Sequence, residues 1–221
     1  MTISEMHTLF RTLGQQKGMQ HNRAILPAEI DDYLNAAIIS FCRETLAANS
    51  SVQYPDKRSI RDNAIVPYNA LRTLYDETPK VVGAQLTNEY YTMTISRAGH
   101  DYLAFIGADV NYIANGRRYQ CRIVEPNKLG YLLNDYCNRP TKEEPFCIID
   151  SDTSMKAEFH IYTGGEKPYQ IFIHTINMPD VVSLENNVDC NLPLYVHEEI
   201  VERAVKKFFE SVGATTHQVK Q

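Results

Sequence analysis

An α+β fold is what this chain predicts, on three observations. An amphipathic helix stands near each end, the stretch between them changes to a strand-like period, and an Asn115-Gly116 pair marks a turn inside that stretch. A helix with one apolar stripe has to bury it against another element, and alternating strands pair into antiparallel sheet. Residues 1–80 plus 190–221 are expected to form a helical domain with its N- and C-terminal helices packed together, and residues 81–189 an antiparallel β-rich insertion with a short helix.

The elements follow in order. Ile3, Met6, Leu9, Phe10 and Leu13 recur at spacings of three and four, so the first helix runs from Ser4, its expected cap, to about Gly14. Its stripe suits either a core or a contact across a subunit boundary. The second helix spans Pro27 to about Ala48, with Ile30, Leu34, Ala37, Ile38, Phe41 and Thr45 on one face. Glu29, Asp31 and Asp32 load its first turns with negative charge, as the helix dipole favours. Asn49 to Asn63 reads as a loop, and Tyr68 to Asp76 as a short helix after Pro67.

Glu89 to Ser96 and Asp101 to Glu125 are rich in Tyr, Thr, Ile and Val and read as strands. A two-residue type I′ turn at Asn115-Gly116 sets Ala114 opposite Arg117, Tyr112 opposite Tyr119, Val110 opposite Cys121 and Ala108 opposite Ile123. Asn111 then faces Gln120 and Asp109 faces Arg122 on the polar side. Lys128 to Cys137 is an expected helix, with Leu129, Leu132, Leu133 and Tyr136 on one side. Phe146 to Asp150 is a strand. A second hairpin is expected from Ala157–Thr163 and Tyr169–Ile176 around a loop with Gly164-Gly165, with Phe159, Ile161, Ile171 and Ile173 on its buried face. Pro193 leads into the last helix, whose stripe is Ile200, Val201, Ala204, Val205, Phe208 and Phe209, with Gly213 as its stop.

Bulk properties narrow the function. The formal net charge is −5, and adjacent basic residues are confined to three isolated pairs, Lys57-Arg58, Arg117-Arg118 and Lys206-Lys207, so tight binding to nucleic-acid phosphates is not expected. An acidic surface would instead let a duplex pass without sticking. No apolar run approaches the roughly 20 residues that cross a bilayer, and the N-terminus reads as no secretory signal. The five cysteines include no Cys-x2-Cys pair, which suits a reducing compartment rather than a zinc ribbon or disulfide scaffold.

Candidate chemistry is sparse. His160 and His174, with Glu158, suggest a metal site if they share a hairpin face, although no third ligand is set by spacing. His197-Glu198-Glu199 lacks the second His of a zinc-helix motif, since Val201 stands at that position. Cys190, Asp189 and His197 lie in one segment, and a nucleophile–base pair needs convergence in space. Gly164-Gly165 with Lys167 lacks the spacing of a phosphate loop. The expectation is no catalytic residue, no cofactor and no metal.

Two segments carry a resemblance. The C-terminal one reads Leu-x5-Cys-x-Leu-Pro-x3-His-x-Glu-Ile-Val, from Leu184 through Cys190 and His197 to Val201. The N-terminal one reads Leu26-Pro-Ala-Glu-Ile-Asp-Asp-Tyr-Leu-Asn-Ala-Ala37. Together they resemble segments of the tail ring (head–tail connector) proteins of crAss-like bacteriophages. The resemblance implies a structural virion protein without enzymatic activity, a twelve-fold homo-oligomeric ring between portal and tail. It implies contacts with the portal protein and neighbouring tail proteins, passage of double-stranded DNA without specific binding, no membrane, and synthesis in the host cytoplasm. Candidate subunit contacts are Leu9, Phe10 and Leu13 on the N-terminal arm and the loops at Asn115, Gly116, Gly164 and Gly165. Two other readings stand beside it: a small cytosolic enzyme with a His/Glu metal site, and a monomeric binding module.

Overall fold

The computed structural model describes residues 1–17, 25–50, 69–81, 86–87, 90–94, 102–114, 116–151 and 157–218. The fold is α+β. The chain divides into a helical unit, Met1–Leu74 with Pro179–Gln221, and a β unit, Tyr75–Met178. Residues 75–80, read from sequence with the helices, belong to the β unit, and residues 179–189 belong to the helical one.

In the helical unit, α1 (Ile3–Gln16) starts at Thr2 rather than Ser4. Thr2 and Glu5 form a reciprocal capping box that satisfies two otherwise open backbone donors. α2 (Pro27–Ser50) follows. α4 (His197–Gln218), entered through a 3-10 turn at Leu194–Val196, packs against both. The core is assembled from three stripes: Ile3, Met6 and Phe10; Ile30, Leu34, Ala37, Ile38 and Phe41; Ile200, Val201, Ala204, Val205 and Phe208. Phe208 is the meeting point, edge-on to Phe10 at 6.2 Å and to Tyr33 at 5.6 Å. Gly213 does not stop α4, which continues past it. Residues 69–71 are helical, but the chain turns over 72–74 and enters β1 at Tyr75, so the short helix ends sooner than its sequence suggests.

The β unit holds two sheets. The first has the order β1 (Tyr75–Val81), β9 (Gln170–Asn177), β4 (Tyr102–Asn111), β5 (Arg118–Gln120). The second has the order β2 (Leu86–Thr87), β3 (Tyr90–Thr94), β8 (Ala157–Tyr162), β7 (Phe146–Ser151), β6 (Arg122–Ile123). All described pairs are antiparallel except β6 with β7. One core joins the facing sides: Ala108, Val110, Ile171 and Ile173 from the first sheet, Cys147, Phe159 and Ile161 from the second, and Cys121 between β5 and β6. Behind the second sheet, α3 (Leu129–Asn134) lays Leu129, Leu132 and Leu133 on Val124, Phe146, Ile148 and Tyr162. α3 is shorter than expected. Asp135 turns to accept from the Cys137 N–H and binds Asn138, and Tyr136 is 81% exposed rather than packed with the leucines.

Two expectations are corrected. β8 and β9 are not a hairpin; they lie in different sheets, and residues 163–169 cross between them. Phe159, Ile161, Ile171 and Ile173 still share a core because the two sheets face each other. The β4–β5 register is also displaced by two residues. Val110 pairs with Tyr119, Asn111 with Arg118 and Asp109 with Gln120. Six residues, 112–117, therefore separate the paired Asn111 and Arg118, too many for a two-residue turn. Asn111 is the cause: its Oδ1 accepts the Ile113 N–H at 3.0 Å, and the Gly116 N–H closes on the Ile113 carbonyl at 2.9 Å. A slip of two keeps the pleat, so the apolar face survives. Arg122 has meanwhile left for the second sheet, where it pairs with Phe146.

Candidate functional site

The two motif segments meet in the helical unit, joined directly between Asp31 and Leu184 and, just ahead of the second motif, between Asn35 and Val182. Asn35 of α2 makes paired hydrogen bonds to the backbone of Val182. One turn earlier, Asp31 accepts from the Leu184 N–H at 3.1 Å with one oxygen and meets His7 Nε2 at 2.7 Å with the other. Asp189 accepts from the Ile3 N–H at 2.6 Å, tying the segment to the start of α1. Further on, His197 Nε2 donates to the Leu192 carbonyl at 2.8 Å and closes the turn around Pro193. Leu192, Val196 and Cys190 are buried. Beyond one short backbone bridge between Ser183 and Val188, the segment is thus held by side chains rather than by a ladder.

This geometry bears on the chemistry weighed for Cys190 and His197. His197 is 1% exposed and its Nε2–H is engaged by a carbonyl, so that nitrogen takes no proton from a thiol. Burial pushes the Cys190 thiol upward, away from the reactive thiolate. Glu198 and Glu199 point to solvent while His197 is enclosed, so the three do not line one open site. His160 and His174 lie on different sheets. His160 stacks on Tyr90 at 4.5 Å with Glu158 Oε2 3.5 Å from its Nε2. His174 bridges Tyr75, whose hydroxyl is 2.6 Å from Nδ1, and Asp109, whose Oδ2 is 3.1 Å from Nε2. Among the described residues no group of three or more His, Cys, Asp or Glu converges as a metal cradle. The Tyr75–His174–Asp109 chain was not legible in sequence, because it spans three strands whose adjacency is set by the crossed topology.

The loop residues named as contacts fall at one end of the β unit. The Tyr169 N–H donates to the Asn111 carbonyl at 2.8 Å, fastening the 112–117 loop to the one carrying Gly164 and Gly165. Lys142, from a third loop, pairs with Glu166 at 2.6 Å, which holds its ammonium above its ordinary range, and lies 5.3 Å from the Tyr112 ring centre. Gly164 adopts φ +71° where an added Cβ would run into the Pro140 carbonyl; Gly165 adopts φ +102° with open space where its Cβ would lie. Gly116 is exposed, and Asn115 lies outside the described residues. Around these glycines Ile113 is 69% and Tyr169 45% exposed. On the N-terminal arm, Phe10 is fully buried while Leu9 and Leu13 are half-buried, so α1 is a component of the helical core.

Among the described residues no helix is long and apolar enough to cross a membrane. No protein-family model matches the chain, and no curated protein sequence is significantly similar to it.

Proposed function

We propose that this chain is a structural virion protein, a homo-oligomeric ring subunit standing between the portal vertex and the tail of a phage of the crAss-like kind. One observation carries the reading. The two segments that resemble ring proteins, about 150 residues apart, are joined directly by Asp31 of the first, which accepts the Leu184 N–H of the second, and Asn35 of the first holds Val182 just ahead of the second. A motif pair that builds one unit is a unit kept as a whole, which suits a shared architecture better than a chance match. The loop cluster at one end of the β unit and the exposed Leu194 and Tyr195 offer surfaces for neighbours. In this reading the ring is twelve-fold, bridges portal and tail tiers, and surrounds a DNA conduit that the net charge of −5 leaves non-adhesive.

The test is the composition and reconstruction of purified particles of the phage that encodes the chain. Twelve copies at the portal–tail junction are the expected result. A chain absent from mature particles overturns the proposal.

A further inference from the structure

Two solvent-facing surfaces of this chain complement each other. On the helical unit, Leu194 and Tyr195 are 74% and 63% exposed, side by side on the 3-10 turn that His197 pins from behind. Exposed Glu198 and Glu202 follow on the next turns at helical spacing. From Pro179 to Glu202 the chain carries carboxylates but no Lys or Arg. Glu199 is taken up by Arg203, Asp189 by the Ile3 N–H and Asp180 by Asn191, whereas no ion pair among the described residues uses Glu198 or Glu202. The face is apolar at its centre and acidic at its rim.

On the β unit, the loop end presents Ile113 and Tyr169, with Arg117 and Lys167 exposed beside them. Arg117 lies 5.5 Å from the Tyr119 ring centre, and neither cation is in an ion pair among the described residues. Glu143 and Glu144 are exposed on the third loop, next to Lys142 in sequence. Ile113 and Tyr169 are the apolar part of this end, Lys142 is taken up by Glu166, and Arg117 and Lys167 are cations without an ion pair among the described residues.

Two different patches on one chain that fit each other make a head-to-tail contact, the kind that closes rings. We propose that the Leu194–Tyr195 face of one copy docks on the Ile113–Tyr169 loop end of a second copy, with Glu198 and Glu202 against Arg117 and Lys167. The choice of a second copy as occupant rests on the ring reading above. The tyrosines supply rigid contact area, and the charges fix orientation and reject like-charged alternatives.

Sedimentation of the full chain over a concentration series reaching about 1 mM tests the contact. The double reversals Glu198→Lys with Glu202→Lys, and Arg117→Glu with Lys167→Glu, are each expected to weaken self-association by about tenfold or more. Combining all four in one chain restores it, and circular dichroism verifies that each variant is folded. Unchanged association in the reversals, no recovery in the quadruple variant, or a wild-type chain that stays monomeric throughout overturns the contact. Particle incorporation separates this failure from that of the ring reading. Reversal variants that enter particles at wild-type level sink the contact and leave the ring. Charge-rescued association of a chain absent from particles does the opposite.

Discussion

The side-chain amide of Asn35 stands in for a peptide group opposite Val182. Its Nδ2 donates to the Val182 carbonyl at 3.0 Å, and its Oδ1 accepts the Val182 N–H at 2.9 Å. The pairing fixes which way the amide points, because only one orientation serves both groups. Val182 is 1% exposed, so neither of its backbone groups has ready access to water as a substitute. Replacing Asn35 by Ala is expected to destabilise the protein by about 2–4 kcal/mol, since a buried donor and a buried acceptor are orphaned together. Urea denaturation measures it; a loss below about 0.5 kcal/mol would mean that water fills the site.

The first helix is expected to be indispensable for the fold. Phe10 is fully buried against Phe208. Phe10→Ala is expected to cost about 3–5 kcal/mol, and removal of residues 1–17 to open the α4 stripe to solvent. Thermal melting of both variants checks this. An unchanged midpoint in the truncated chain would return α1 to the role of a detachable arm.

The β4–β5 register can be read by cross-linking. Asp109→Cys with Gln120→Cys places two thiols on directly paired positions and is expected to oxidise readily. Asp109→Cys with Arg122→Cys is expected not to, since Arg122 pairs with Phe146 in the other sheet. The opposite outcome on non-reducing electrophoresis would reinstate the two-residue turn.

The two loop glycines differ in what a methyl group would meet. At Gly164, with φ +71°, a Cβ lies 2.7 Å from the Pro140 carbonyl oxygen; at Gly165, with φ +102°, nothing lies within 4 Å. Gly165→Ala is expected to cost about 1 kcal/mol of backbone strain, and Gly164→Ala clearly more. Equal losses in denaturant titration would show that the 140–141 backbone yields freely.

The buried thiols set an alkaline limit. Burial raises Cys42 and Cys147 from an ordinary 9.0 to about 12, and drives Cys121 in the same direction. The unfolded chain releases these protons first, so the folded state holds more protons between about pH 9 and 12, and stability falls as pH rises through that window. Each such thiol contributes about 1.4 kcal/mol per pH unit there. Iodoacetamide at pH 9 is expected to label exposed Cys137 in the native protein and all five cysteines in denaturant. Rapid native labelling of Cys121 would contradict its burial.

What the sequence made legible was periodic. Stripes at three and four residues located α1, α2 and α4, and five of the six positions expected on the α4 stripe are buried. Alternation located which residues of β4, β8 and β9 face inward, because that depends only on the parity of the pleat. Partner choice was not legible. Nothing local distinguishes a hairpin from a crossing between sheets at residues 163–169, and a single Asn111 side chain was enough to replace the expected turn with a longer loop. The loop end was named residue by residue, but its assembly depends on the Tyr169–Asn111 bond, a contact 58 residues apart along the chain (169 − 111). His174 was noticed for the wrong partner, since Tyr75 and Asp109 reach it only through strand order.

The helical unit is assembled from chain segments that precede and follow the β unit in sequence, and a ribosome makes its parts in that order. α1 and α2 emerge with Ile30, Leu34 and Phe41 uncovered, and about a hundred residues of β unit follow before α4 is made. At ordinary elongation rates that is roughly 5–20 s during which the first two helices have no lid. The β unit can close on itself in that interval. A nascent chain interrupted between Met178 and Ile200 therefore carries a finished β unit and an open apolar trough, a ready target for chaperones and proteases, which the synthesis of α4 removes.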